Sequence, residues 1–209
     1  MRFISTAQSN CPWTQLSELV RIQPGYLSRG RVHFVPDGTH RLLQAKDVSA
    51  DGGVRLENAV RFYPERRPEL YQVSRGDVLV IARGQEHKAH CIDEDLPNTL
   101  VAFSFYILRP NSSLVLPGYL AWWLNQPRVQ AQINAESRGT GISYISRQAL
   151  EKLRVQVPTL TVQRDIERIL ELWHRIKAIR RRLDEKRDQQ IQMVCQLAVQ
   201  QINKKEQGV

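Results

Sequence analysis

The strongest pattern in the chain lies in its last quarter. Between residues 161 and 203 there is no Gly and no Pro, and apolar side chains return every three or four positions. With Val162 as a heptad a position, Ile169, Ile176, Leu183, Gln190 and Leu197 occupy the later a positions. The d positions are Asp165, Leu172, Ile179, Lys186, Met193 and Gln200, so Lys186 and Gln190 interrupt an otherwise apolar seam. Trp173, Ile166 and Leu170 lie beside that seam and widen it. The spacing predicts one helix of ~43 residues, about 65 Å long at the α-helical rise. Thr161 offers a capping hydroxyl for its first turn. A helix of that length with a narrow apolar stripe needs a partner along its length, most simply a second helix of the same kind; the alternative is a helix broken near Lys186 and folded back on its own domain. Ile169, Leu172, Ile176, Ile179, Leu183, Met193 and Leu197 are the expected dimer interface.

Residues 1–158 have a different texture, with short apolar segments punctuated by Gly, Pro, Asn and Asp. Period-two alternation and β-branched runs predict strands at His33–Val35, Arg41–Gln44, Val54–Leu56, Asp77–Ala82, Thr99–Leu108 and Leu153–Val157. Pro117–Asn125 and Pro127–Ala135 predict two short helices, each opened by a proline, whose missing N–H costs nothing in a first turn. Ser146 is placed to cap a third, Arg147–Lys152. Strands come first and helices late, which predicts an α+β fold rather than a doubly wound parallel sheet.

Length and composition narrow the classes. The 209 residues suffice for one or two domains with a buried core, and 42% hydrophobic with 24% charged residues excludes collagen-like and wholly disordered chains. The longest apolar-rich stretch, Leu114–Leu124, is broken by Pro117-Gly118 and reaches about half of the roughly 20 residues that span a bilayer. Residues 1–13 lack the apolar run of a signal peptide, so a cytoplasmic location is expected, with no membrane partner. Thirty Lys and Arg against 21 Asp and Glu give a net charge of +9, shared as +5 before Thr161 and +4 from there on. Of the 19 cations before Thr161, only Lys46, Lys88 and Lys152 are not Arg. Arginine presents a planar fork to phosphate and guanine, so this bias points to nucleic acid.

Catalytic chemistry is harder to assemble. Cys11, Cys91 and Cys195 form no C-x-x-C pair, so neither a disulfide framework nor a structural zinc site is expected. His87-Lys88-Ala89-His90-Cys91 holds metal-capable side chains but has no second cluster to complete a coordination shell, and reads as a polar loop. There is no phosphate-cradling or dinucleotide-binding glycine motif, and Asp93, Glu94 and Asp95 read as a solvated turn. Asn10-Cys11-Pro12-Trp13 is faintly similar to the Asn-Pro-Pro-aromatic loop of amino-group DNA methyltransferases, but the first proline is missing and no Gly-rich cofactor loop follows a strand. It reads instead as an entry segment whose Trp13 packs on the core. The expectation is a binding protein with no catalytic residue, no metal and no cofactor.

Candidate DNA-binding residues cluster in loops of the first region. Arg29, Arg31 and His33 follow the Pro24-Gly25 turn; Gln44 and Lys46 follow a strand; Arg83, Gln85, His87 and Lys88 follow Val78–Ile81. Gly139-Thr140-Gly141, with Arg138 before it and Tyr144 and Arg147 after it, is a turn at which backbone could approach a phosphate. Arg can grip guanine O6 and N7, and Gln can pair with adenine N6 and N7, so these residue types suit double-stranded DNA read through the major groove.

The order of several short motifs resembles a single target recognition domain of the specificity subunits of type I restriction-modification systems. They are Leu16-Ser-Glu-Leu-Val20, Gln44 through Val54, Gly76-Asp-Val-Leu-Val80, Tyr119-Leu-Ala-Trp-Trp-Leu124, Gly139 through Ile145 leading to Leu150-Glu-Lys-Leu-Arg-Val155, and Val157-Pro-Thr-Leu-Thr-Val-Gln163 running into the long helix. The resemblance covers about residues 13–203. It implies a non-catalytic subunit that chooses the DNA sequence while methyltransferase and translocase-nuclease partners do the chemistry. Members of the family usually carry two such domains, each followed by a long helix, and the helices pack antiparallel. This chain looks like half of one: a recognition domain over 1–158 and a coiled-coil-like dimer arm over 159–209, two copies of which would read an inverted repeat. It departs from the pattern at the junction, where Thr159 and Val162 replace the usual second Pro and Glu, and in the loop Arg83-Gly-Gln-Glu-His87, which lacks a small Ser/Gly-rich stretch. Those departures keep open a second expectation, a regulatory protein that retains the fold and assembles with or inhibits a defence methyltransferase complex without reading DNA.

Overall fold

The computed structural model describes residues 11–28, 35–48, 53–57, 59–65, 67–84, 86–137 and 143–206. The elements run β1 (Trp13–Gln15), α1 (Leu16–Leu19), β2 (Val20–Pro24), β3 (His40–Leu43), β4 (Val60–Phe62), α2 (Pro68–Tyr71), β5 (Val78–Ile81) and β6 (Ala89–Cys91). They continue with β7 (Thr99–Val101), β8 (Phe105–Pro110), α3 (Pro117–Leu124), α4 (Pro127–Glu136), α5 (Arg147–Glu151), β9 (Arg154–Gln156) and α6 (Leu160–Glu206). The chain divides into two compact units, Met1–Ile166 and Glu167–Val209.

The first unit is α+β. An antiparallel sheet of order β2-β8-β5-β6 forms its middle layer, and a three-stranded sheet, β4-β3-β7, mixes an antiparallel with a parallel pairing. Alternation along β5 and β8 decides what each face covers. Val78, Val80 and Leu108 face a core with Tyr119, Leu120, Leu124 and Ile133 of the helices, whereas Leu79, Phe105 and Ile107 face a second core with Leu43 and Val101 of the smaller sheet. Helices, sheet and second sheet therefore form three layers. A short ribbon, β1 against β9 with Trp13 opposite Gln156 and Gln15 opposite Arg154, joins the beginning of this unit to its end.

Local chemistry accounts for the helix starts. Pro117 and Pro127 open α3 and α4, and the Ser146 hydroxyl accepts the Ala149 N–H at 3.1 Å to cap α5. Asn125 closes the exposed side of β6: its Oδ1 accepts the Ala89 N–H at 2.9 Å and its Nδ2 donates to the Ala89 carbonyl at 2.7 Å, replacing the missing neighbouring strand.

Several expectations are corrected. Thr99–Leu108 is two strands, because a turn at Ala102–Ser104 carries the chain from one sheet to the other. Val54–Leu56 is no strand; Val54 makes a single bridge to Val48. Ala89–Cys91 is a strand rather than part of a loop. Trp13 packs edge-on to Trp123 with centroids 5.7 Å apart but remains half exposed. The long helix begins at Leu160, so Thr161 lies within it rather than capping it. Of His33–Val35, only Val35 is among the described residues.

Helix α6 runs 47 residues. Ion pairs one turn apart support it, Arg175 to Glu171 at 2.7 Å and Arg181 to Glu185 at 3.1 Å. Its opening is fixed by Gln163, whose side chain is fully buried. Gln163 Oε1 accepts the Leu116 N–H at 2.8 Å, and its Nε2 donates to the carbonyls of Pro158 at 2.8 Å and Leu114 at 3.1 Å.

Candidate nucleic-acid interface

The turn Ala102–Ser104 is where the two larger sheets meet, and other segments anchor to it through their backbones. Tyr26 donates to the Val101 carbonyl and accepts from the Phe103 N–H; Ala102 donates to Leu43; Ala82 and Arg83 both donate to Ser104. Gly25 permits this closeness, since a Cβ there would stand 2.1 Å from the Ala102 oxygen. The segment from Ser143 joins next, with Gly84 donating to Ser143 and Ile145 donating to Ala82. The segments after β2, β3 and β5 thus converge with the approach to α5 around one turn, although up to about a hundred residues separate them in sequence.

At this meeting point the Arg83 guanidinium lies 4.8 Å from the Phe103 ring centroid and 5.9 Å from that of Tyr144. All three side chains are exposed, with Phe103 at 41% and Tyr144 at 40%, and Leu27 on the adjoining segment is more exposed still. A guanidinium held over aromatic faces loses rotamer freedom while keeping its N–H groups free to donate outward. Tyr106 sits behind the cluster and donates to the Ile145 carbonyl at 3.3 Å. Burial pushes its phenol above the usual value, opposed by a hydrogen bond from the Arg147 backbone and by the charges of Arg147 and Arg83. Arg147 also donates to Glu151 at 2.7 Å.

The other expected readers differ in placement. Gln44 and Lys46 follow Leu43, whose carbonyl accepts the Ala102 N–H, so they stand at the same end; Lys46 is exposed, and the Gln44 N–H donates to the buried Asp47 carboxylate at 2.9 Å. Lys88 is half spent on Glu86, 2.8 Å away. His87 is withdrawn from the surface altogether. It is fully buried, its Nδ1 donates to the Ile81 carbonyl at 2.8 Å, and its Nε2 lies 2.9 Å from Ser137 Oγ and 3.4 Å from Ser143 Oγ. It ties the Ser137 and Ser143 ends of two segments to β5 and presents no edge to a base. Arg29, Arg31, His33, Gln85 and Arg138 lie outside the described residues. Among the described residues, no three His, Cys, Asp or Glu side chains gather as metal ligands.

Phe103 and Leu27 escaped the sequence reading. In Ala102-Phe-Ser-Phe-Tyr106 the apolar alternation continues without interruption, so Phe103 passes for an inward strand residue, and only the turn turns it outward.

A second surface belongs to α6 alone. From Glu171 to Leu197 every side chain is exposed, the apolar seam included, with Ile176 at 43% and Ile179 at 65%. Ile169, Leu172, Leu183, Met193 and Leu197 are exposed with them, as are Trp173, Ile191 and Val194 at its border.

No family model and no curated protein matches the sequence. Solved structures do match. The type I restriction-modification S subunit from M. genitalium superposes with a TM-score of 0.54 at 19% identity, over 80% of this chain and 40% of that one. The HsdS subunit from Thermoanaerobacter tengcongensis gives 0.56 at 19% identity, over 81% of this chain and 39% of that one. The chain has the specificity-subunit fold. A third structure with that fold, from work on complex assembly and conformational transition of the type I R-M system, gives 0.59 at 19% identity over 84% of this chain and 41% of that one. The chain spans about two fifths of the length of the specificity-fold structures it matches.

Proposed function

We propose that this chain is the sequence-specific DNA-reading component of a type I-like restriction-modification or related phage-defence complex, working as a homodimer of half-length subunits. The observation that carries the reading is the exposed Arg83 guanidinium braced by Phe103 and Tyr144, at the point where the segments following three strands converge. A braced fork of that kind suits guanine O6 and N7 in a major groove, and Lys46 and Arg147 at its margins suit backbone phosphates. The chemistry falls to partners, a methyltransferase and a restriction or translocase subunit, in the cytoplasm. The chain itself is an address-reader and not an enzyme.

Dimerisation rests on the exposed seam of α6. Pairing two seams removes Ile169, Leu172, Ile176, Ile179 and Leu183 from water, and an isologous pair presents the two recognition domains to DNA as equivalents. The bound site is then an inverted repeat whose gap the arm sets. Selection from a pool of random duplexes tests the proposal. Enrichment of a gapped inverted repeat, with affinity that falls steeply as salt rises, is the expected result. Folded, dimeric protein that enriches no duplex refutes DNA reading and leaves the regulatory role.

A further inference from the structure

Two backbone bridges set four exposed side chains in a row on the interface. Tyr26 pairs with Ala102 in parallel, and both side chains are buried. Successive side chains of a paired segment point to opposite faces. The next residues on the two segments, Leu27 and Phe103, therefore stand beside each other and point outward. Among the described residues no large apolar side chain is more exposed than Leu27, at 68%. Arg83 pairs with Tyr144, and the Arg83 N–H donates to the Ser104 carbonyl, which brings this second pair next to the first. The row runs Leu27, Phe103, Arg83, Tyr144, with the guanidinium over the Phe103 ring.

A guanidinium bound to guanine decides what its neighbours meet. In the major groove the base edges carry hydrogen-bond donors and acceptors and a single apolar group, the C5-methyl of thymine. Adjacent base pairs lie about 3.4 Å apart, and side chains on adjacent paired segments about 4.8 Å apart. With the row along the groove and Arg83 on guanine, Phe103 and Leu27 fall on the flanking base pair. Against adenine, guanine or cytosine there they would strip water from polar groups and offer no hydrogen bond in return. Against thymine they cover a methyl group.

We infer that Phe103 and Leu27 are specificity-determining residues that read the C5-methyl of a thymine next to the guanine gripped by Arg83. This rests on the DNA reading above and adds a second base to the address. Backbone bonds hold the row in place, Phe103 to Tyr26 at 2.9 Å and Gly84 to Ser143 at 3.0 Å. A missing methyl group consequently leaves a gap that the side chains do not close.

Deoxyuridine in place of thymine removes the methyl and keeps every hydrogen-bonding group of the base. In a duplex recovered by selection, the exchange is made at each thymine of one half-site in turn, and the affinity of the full chain is read by anisotropy at fixed salt. One thymine next to a guanine should lose about fourfold, the worth of one buried methyl-sized group. Leu27→Ala with Phe103→Ala, both on exposed side chains and checked for unchanged helicity by circular dichroism, should bind the thymine and deoxyuridine duplexes alike. Wild-type affinity unmoved by the exchange at every thymine beside a guanine overturns the inference and leaves DNA reading standing. So does a recovered duplex without such a thymine, or an effect of the exchange that survives in the double variant. Single strand bound as tightly as duplex assigns the rings to base stacking and overturns it too. Folded protein that enriches no duplex overturns DNA reading itself, and this inference with it.

Discussion

Gln163→Ala isolates the seating of the first turns of α6 within the first unit. The wild-type side chain is fully buried and makes three hydrogen bonds, accepting from Leu116 and donating to Leu114 and Pro158. Alanine leaves the Leu116 N–H without this acceptor just before the first turn of α3, at a cost of about 1–3 kcal/mol for an orphaned buried donor. Two carbonyls lose a donor as well, each worth about 0.5–1.5 kcal/mol net, and some relaxation or water entry recovers part of the sum. A loss of about 3 kcal/mol is expected, large beside the ~1 kcal/mol of an average substitution. Gln163→Met keeps the volume and loses the polar atoms, so it should cost nearly as much, which separates hydrogen bonding from cavity formation. Urea unfolding followed by tryptophan fluorescence reads both, with the midpoint shifting at constant slope. A loss under about 1 kcal/mol for Gln163→Ala at unchanged slope would show that these bonds are exchanged for water at no cost and would refute the argument.

Three further outcomes are expected. Arg83→Ala should weaken binding to a selected duplex by roughly 5- to 150-fold, the worth of one bidentate base contact, and Arg83→Lys should restore little because it lacks both fork and stacking plane; anisotropy titration at fixed salt measures each. Ile176→Asp with Ile179→Asp should weaken dimerisation at least about a hundredfold, since each buried isoleucine contributes about 1.5–3 kcal/mol, and an unchanged mass by sedimentation would place the interface elsewhere. Burial, and secondarily the Lys88 charge, hold the His90 imidazole below its ordinary value of 6.5. The unfolded chain therefore takes up the proton first as the pH falls, so the stability is full above about 6.5 and declines below it until the folded-state value is reached. Urea midpoints between about pH 7 and about pH 5 should fall for the wild type and stay flatter for His90→Gln, and equal slopes would rule His90 out as the source.

What could be read from the sequence was whatever local physics decides alone. A run free of Gly and Pro with heptad spacing has no alternative to a helix, and Pro117, Pro127 and Ser146 mark helix starts because missing donors and capping oxygens act within one turn. Strand β5 was legible from its β-branched run. The break at Ala102–Ser104 was not, because the partners that bend the chain there, Tyr26 and Leu43, stand some sixty to eighty positions away. The site divides along the same line. Arg83 and Tyr144 were each visible as exposed polar or aromatic loop residues, but their meeting over Phe103 is a tertiary fact. His87 shows the opposite failure: a polar side chain in a charged run suggests surface, whereas the carbonyl and hydroxyls that enclose it come from Ile81, Ser137 and Ser143.

If the chain reads DNA as proposed, the ribbon of Trp13–Gln15 against Arg154–Gln156 bears on how its target could change. Chain enters and leaves the first unit side by side, so the segment from Leu16 to Leu153 forms a cassette closed by this three-pair clasp, with the bonds of Gln163 to Leu114 and Leu116 as a second fastening. The loops carrying Arg83, Phe103 and Tyr144 can drift, lengthen or be exchanged wholesale while the clasp, the Gln163 fastening and the arm go on assembling as before. On the proposed reading, new addresses could then be written without renegotiating the machinery that acts on them.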